Sequence, residues 1–341
     1  MLGLDCRLDR IQGRCAVFVF GNPIIKTLCA TVGFSDVTSA NVVGYQALPV
    51  FKGGNTMTAP TFANVGVAGK FKLSDLTVVG CKKSWWNDED PTDMYWEDGC
   101  KGGDFYIQVL DESGYPTATY YWLDYTKGDV YPAPEKNIFG PGWFTSEDGK
   151  NFTPATPEIL AMEFTQGQAF WIFSKAKTAK GVANVSLQPA GAVEKSEVAF
   201  NIFKGGNTAV GVCTPRAVTL SELTVANCKK SWWNDEDPTD MYWEDGCKGG
   251  DFYIQVLDES GYPTETYYWL DYTKGDVYPA PEKNVFGPGW FTSEDGKNFT
   301  PATPEILARE FSAGQGFWVF SKAKVASGKT SIQLVIPGVD L

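Results

Sequence analysis

The chain reads as all-β: two tandem antiparallel β-sandwich (or barrel-like) units behind an N-terminal leader. Three observations predict this. Short segments alternate apolar and polar residues and favour β-branched and aromatic side chains. Turn signals built on Gly, Pro, Asn and Asp recur roughly every 8–12 residues, the spacing of a sandwich. One long block of sequence also occurs twice.

Residues 1–40 lie outside the repeat, hold only short apolar pieces with Cys6, Cys15 and Cys29, and form the leader. Residues 41–192 make the first unit. In it, "DFYIQVLD" (104–111) and "TATYYWLDY" (117–125) are strands joined by the turn "ESGYP". "GWFTSEDGKNF" carries Asp148-Gly149, a short-hairpin signal. "GQAFWIFSKA" and "NVSLQ" read as further strands, which gives about seven or eight per unit. "TPEILAMEF" (156–164) suggests a helix of about two turns, with Thr156 as N-cap and Glu158 in the first turn.

The second unit, 193–341, restates the first. Residues 81–177 and 228–324 differ at seven of 97 positions: Ala118/Glu265, Ile138/Val285, Met162/Arg309, Thr165/Ser312, Gln166/Ala313, Ala169/Gly316 and Ile172/Val319. This block repeats at a spacing of 147, whereas the upstream "FKGGNT" (Phe51, Phe203) repeats at 152. Such a period exceeds the roughly 20–50 residues of a solenoid repeat, so these are tandem domains. Their join falls near "PAGAVEKSE" (189–197).

The segment "TLCATVGFSDVTSANVVGYQALPVFKGGNTMTAPTF" (27–62) leads into a "VVGYQ" strand, and each unit closes on "GQAFWIF" (167–173) or "GQGFWVF" (314–320). In these features the chain resembles uncharacterised secreted bacterial β-rich tandem-repeat proteins, whose short signal peptide runs straight into a VVGYQ strand. The resemblance covers both units. It implies a β fold and an extracellular or cell-surface location, and it implies no catalytic residue. Asp36 departs from the pattern, because it interrupts what would be the apolar signal core.

Composition narrows the function. A formal charge of −12 disfavours nucleic acid, which needs clustered Lys and Arg, and disfavours an anionic membrane surface. No apolar run reaches the roughly 18 residues of a helical membrane span. Histidine is absent, which removes Ser–His and Cys–His nucleophile pairs. There is no CxxC spacing for an all-cysteine zinc site. "FKGGNT" and "CKGGDF" lack the GxxxxGK[ST] pattern of a phosphate loop and read as turns. "NFT" at Asn151 and Asn298 matches a glycosylation acceptor.

The stretch "CKKSWWNDEDPTDMYWEDGCKGG", present in both units, concentrates the candidate sites. Cys81 with Cys100, and Cys228 with Cys247, each enclose 18 residues and in an exported protein read as disulfide staples. Asp88, Asp90 and Asp93, with Asp235, Asp237 and Asp240, offer oxygens for a weak calcium site; a solvated acidic loop is the alternative. Trp85, Trp86, Tyr95 and Trp96, with Trp232, Trp233, Tyr242 and Trp243, are candidate ligand-binding aromatics, joined in the same reading by Trp122, Tyr120 and Tyr121. These rings make either a platform for sugar stacking or sandwich core. Adjacent aromatics in a strand point to opposite faces, so one of each pair is at least partly exposed. The sequence therefore predicts an exported, non-enzymatic protein that binds glycan or associates with itself. Alternatives are a carbohydrate-active enzyme using an Asp/Glu pair, or a carbohydrate-binding module of a larger system.

Overall fold

The computed structural model describes residues 43–63, 69–82, 85–87, 95–97, 100, 102–124, 141–193, 195–230, 232–234, 242–244, 247, 249–271 and 288–339. These form an all-β protein whose only α-helices, among the described residues, are single turns at Pro157–Leu160 and Pro304–Leu307. In the first unit a six-stranded antiparallel sheet runs Thr153–Pro154, Gly142–Thr145, Pro116–Leu123, Phe105–Leu110, Phe170–Ser174, Asn55–Thr58. The second unit reproduces it as Thr300–Pro301, Gly289–Thr292, Pro263–Leu270, Phe252–Leu257, Gly316–Ser321, Asn207–Gly211.

The central hairpin forms for the reasons its sequence suggests. Phe105, Ile107 and Val109 alternate inward while Tyr106 and Gln108 face outward. Asp111 Oδ1 accepts the N–H groups of Ser113 (2.8 Å) and Tyr115 (2.9 Å), and Gly114 takes the φ of +85° that closes the turn. A smaller sheet covers the inner face: Ser186–Ala192 pairs with Val43–Tyr45, Leu48–Pro49 and Leu76–Val79. Between the layers lie Phe105, Ile107, Ile172, Leu76, Val78 and Leu187. Full burial of such a side chain contributes about 1.5–3 kcal/mol. Trp143 joins the layers by donating its Nε1–H to the Leu76 carbonyl (2.8 Å), as Trp290 does to Leu223 (2.7 Å).

Local expectations are corrected in four places. Strands are shorter and more numerous than expected: fourteen in the first unit and thirteen in the second among the described residues. One cause is the 3-10 turn at Leu73–Asp75, which separates Lys70–Lys72 from Leu76–Val79 and sends them to different sheets. The expected two-turn helix stops after one, Thr156 accepting from the Ile159 N–H, because Glu163–Thr165 is drawn into pairing with Lys70–Lys72. The Asp148-Gly149 hairpin is not a two-residue turn. Residues 146–152 form a longer loop organised by Asp148, whose Oδ1 accepts from the N–H groups of Lys150 (2.8 Å) and Asn151 (2.7 Å). Finally, 189–192 is strand and not linker, since Pro189 pairs opposite Leu76 and Ala190 opposite Tyr45.

The two units pack through a pseudo-two-fold interface in which several contacts recur in reverse. Ala59 N–H donates to the Gly314 carbonyl (3.0 Å), and Gly211 N–H donates to that of Gly167 (3.0 Å). Thr58 bridges Gln315 as Val210 bridges Gln168. Trp171 and Trp318 meet edge to face at 6.1 Å, on the pseudo-axis. Each lies against a turn glycine of the opposite unit, Gly261 and Gly114 respectively, where a Cβ would come within about 3 Å of the indole.

Candidate functional site

In each unit, the strand leaving the small sheet ends at a cysteine at one end of the main sheet. Cys81 bridges Thr178, and Lys82 N–H donates to the Lys177 carbonyl (2.8 Å). The chain comes back at Cys100, whose N–H donates to the Lys82 carbonyl (2.9 Å), while Asp124 N–H donates to the Cys100 carbonyl (3.0 Å). The segment between leaves and returns at one point. Its backbone forms an antiparallel ladder pairing Trp85 with Glu97, Trp86 with Trp96 and Asn87 with Tyr95. The second unit repeats that register: Trp232 with Glu244, Trp233 with Trp243, Asn234 with Tyr242. The eight predicted ligand-binding aromatics therefore fall on two equivalent hairpins. Asp88, Asp90, Asp93, Asp235, Asp237 and Asp240 lie outside the described residues.

Cys81, Cys100, Cys228 and Cys247 are thiols in this structure. Within each pair one thiol hydrogen-bonds the other, and this contact, with burial second, pushes Cys100 and Cys247 far above the usual thiol range. Asp104 and Asp124 add negative charge near Cys100 in the same direction. Each Sγ also donates to a strand carbonyl, Cys100 to Trp122 and Cys247 to Trp269, both at 3.3 Å. The arrangement is an anchor.

Behind the anchor, the other predicted aromatics separate by face. Tyr120 and Trp122 are buried, with Trp122 edge-on to Trp143 at 5.2 Å, so these two are core. Tyr121, between them in sequence, is half-buried on the outer face, as period-two alternation requires. It belongs to a row sequence reading did not assemble: Phe173, Tyr106, Tyr121 and Phe152, with centroid spacings of 4.9, 5.6 and 5.1 Å. The second unit repeats it with Phe320, Tyr253, Tyr268 and Phe299. These rings pack on one another across strands, which uses their faces for cross-strand packing. The strand alternation carried the signal, but only the pairing register brings the four residues into line.

Two carboxylates lie at the base of each hairpin. Asp104 and Asp251 are 7% exposed and sit 3.8 and 3.7 Å from Lys175 and Lys322. Asp271, the equivalent of Asp124, is 8% exposed, and its burial raises its carboxyl above the usual range against the opposing charge of Lys230. At the loop end of each sheet, Asn151 and Asn298 are exposed, and each side-chain amide donates to the nearby aspartate, Asp148 or Asp295.

No protein-family model matches the chain, and no curated protein or solved structure does either. The class is thus defined by architecture alone: an all-β protein of duplicated antiparallel sheets, each carrying a cysteine-anchored hairpin.

Proposed function

We propose that this is an extracellular or cell-surface protein that acts by binding or display, not by turnover, through its two aromatic-acidic hairpins. The observation that carries the reading is the uneven likeness of the two copies. Residues 81–177 and 228–324 differ at seven of 97 positions, yet the segments before them, 43–80 and 195–227, share little beyond "FKGGNT" and a "LS-LTV" pattern. Both parts supply strands, the earlier segment giving Asn55–Thr58 to the main sheet and Val43–Tyr45, Leu48–Pro49 and Leu76–Val79 to the smaller one, so packing alone does not explain why only the block holding the hairpin and its flanking loops stayed the same. A shared binding role for both hairpins does. Two copies on one chain raise avidity for an extended or repetitive target without any new contact.

The target class is glycan or a second copy of the chain, with weak calcium binding at the acidic loop as an accessory. The hydrolytic alternative has specific groups to name, Asp124 and Asp271, the latter raised by burial as a general acid needs. A glycan array decides between them. Binding by the parent protein, lost when Trp85→Ala is combined with Trp232→Ala or Trp86→Ala with Trp233→Ala and with the melt unchanged, supports the hairpin reading. Release of reducing ends from any polysaccharide, abolished by Asp124→Asn with Asp271→Asn, would replace it with an enzyme.

A further inference from the structure

Between the units, the pseudo-two-fold interface leaves two related clefts, of about 730 and 680 Å³. In each, the Phe-Lys-Gly-Gly-Asn-Thr turn of one unit faces the Leu-Asp-Glu turn of the other: Phe203 and Lys204 with Asp111 and Glu112, Phe51 and Lys52 with Asp258 and Glu259. These volumes fall within the roughly 300–1,000 Å³ of small-molecule sites. We infer that the larger cleft is a binding site for a neutral saccharide, separate from the hairpins and completed only when both units are in place.

The chemistry of the walls argues for that class. Phe203 is 38% exposed, with its ring edge against Gly206, and offers an apolar surface to a sugar ring. Asn201 accepts from Ser331 Oγ (2.7 Å) and Gln333 Nε2 (3.0 Å) through its Oδ1, which fixes the amide and leaves its Nδ2 to donate. Among the described residues, neither Lys204 nor Glu112 has an ion-pair partner, so one donor and one acceptor stand on opposite walls. Ser321 also lines this cleft; it is 1% exposed, and its hydroxyl has no hydrogen-bond partner. A buried, unpaired hydroxyl at a cleft wall costs stability unless something polar reaches it. Sugar hydroxyls both donate and accept, which this mixed lining requires. An anion would meet Asp111 and Glu112, and an apolar ligand would leave the polar wall unpaired.

The smaller cleft keeps the Phe, Lys, Asp and Glu, and has Thr56, Leu257 and Gln315 at the positions of Thr208, Leu110 and Gln168, but it differs at two places that matter. Pro49 replaces Asn201, and Met57 replaces Ala209, so the fixed amide donor is lost and bulk is added. One saccharide per chain is therefore expected, whereas hairpin binding gives two equivalent sites.

Calorimetric and saturation-transfer titrations with maltotriose, cellotriose, xylotriose and tri-N-acetylchitotriose test this. The expected result is saturable binding of at least one trisaccharide at one per chain. Phe203→Ala and Glu112→Gln should each raise its Kd about tenfold or more, with Phe51→Ala without effect. Glu112→Gln is exposed and isosteric, so a retained melt separates lost binding from lost folding. The inference is overturned if no trisaccharide binds up to about 10 mM, or if binding survives both substitutions. It is equally overturned if binding has a stoichiometry of two and disappears with the paired Trp substitutions. Failure of those Trp substitutions alone would sink the hairpin reading and leave this one standing.

Discussion

Tyr120 and Tyr267 occupy the same place in the two copies but have different partners. In the first unit the Tyr120 hydroxyl contacts Met162 Sδ at 3.1 Å, beside Ala118. In the second, Ala118 has become Glu265 and Met162 has become Arg309. Glu265 Oε2 now accepts from the Tyr267 hydroxyl (2.6 Å) and from Arg309 Nε (2.9 Å). Two of the seven differences are thus a single exchange of an apolar pair for an ion pair. Burial works to raise the Glu265 carboxyl, yet the bonds from Tyr267 and Arg309 outweigh it and hold it below the usual range. Burial first, then the bond to Glu265, pushes Tyr267 up to about 12. A raised tyrosine favours folding while protonated. Its contribution is complete below the unfolded value of about 10 and is lost as pH rises through about 12. An alkaline absorbance titration of Tyr267→Phe should therefore lose one tyrosine from the step near pH 12. Glu265→Ala alone should cost about 0.5–1 kcal/mol, as partly exposed pairs do, and Glu265→Ala with Arg309→Met should recover most of it. Equal losses in the single and double variants would show that the pair is not coupled.

Among the elements, the hairpin of Phe105–Leu110 and Pro116–Leu123 was the most legible. Its alternation is regular, and its turn is fixed by one aspartate and one glycine close in sequence. In the second layer, VVGYQ and NVSLQ read as strands, but how they pair was not legible. Leu48–Pro49 is two residues long, too short to show a period, and it is a strand only because Ser186–Ala192 comes back to pair with it, as it does with Val43–Tyr45. Cysteine spacing did point to the hairpin base, where the two thiols of each unit now lie in contact. Oxidising each pair would close a loop of 18 residues, stabilising by about 3 kcal/mol in the chain-entropy estimate. Peptide mapping of freshly isolated protein without reduction should recover Cys81 linked to Cys100 and Cys228 linked to Cys247. Four free thiols would point to a reducing compartment and remove the export reading.

At the scale of the whole molecule, nothing in the sequence pattern pointed to the interface, because backbone bonds and close approaches at glycines to Met57, Trp171 and Trp318 build it, and none of these has a periodic signal. Its asymmetry nevertheless accounts for more of the differences between the copies. Ala169 N–H donates to the Ala209 carbonyl at 3.2 Å, alanine facing alanine. At the related position Gly316 faces Met57, and a Cβ there would run into the Met57 side chain and lie 2.7–2.8 Å from its backbone. Gln166, which is Ala313 in the second copy, donates from its side chain to the Cys213 carbonyl at 3.2 Å. Each face therefore fits the other unit better than its own kind. Two first units would set Ala169 against Met57 and clash, and two second units would set Gly316 against Ala209 and leave a gap. This favours pairing within one chain over pairing between chains. Gly316→Ala should thus overpack the contact and cost about 1–3 kcal/mol. Met57→Ala added to it recreates the alanine pair found at Ala169 and Ala209, and should restore most of the loss. Calorimetry provides the reading: Gly316→Ala lowers or splits the melting transition, and the double variant returns it towards that of the parent. Because the two residues touch, additive effects would be unexpected and would mean that the units do not meet through this face.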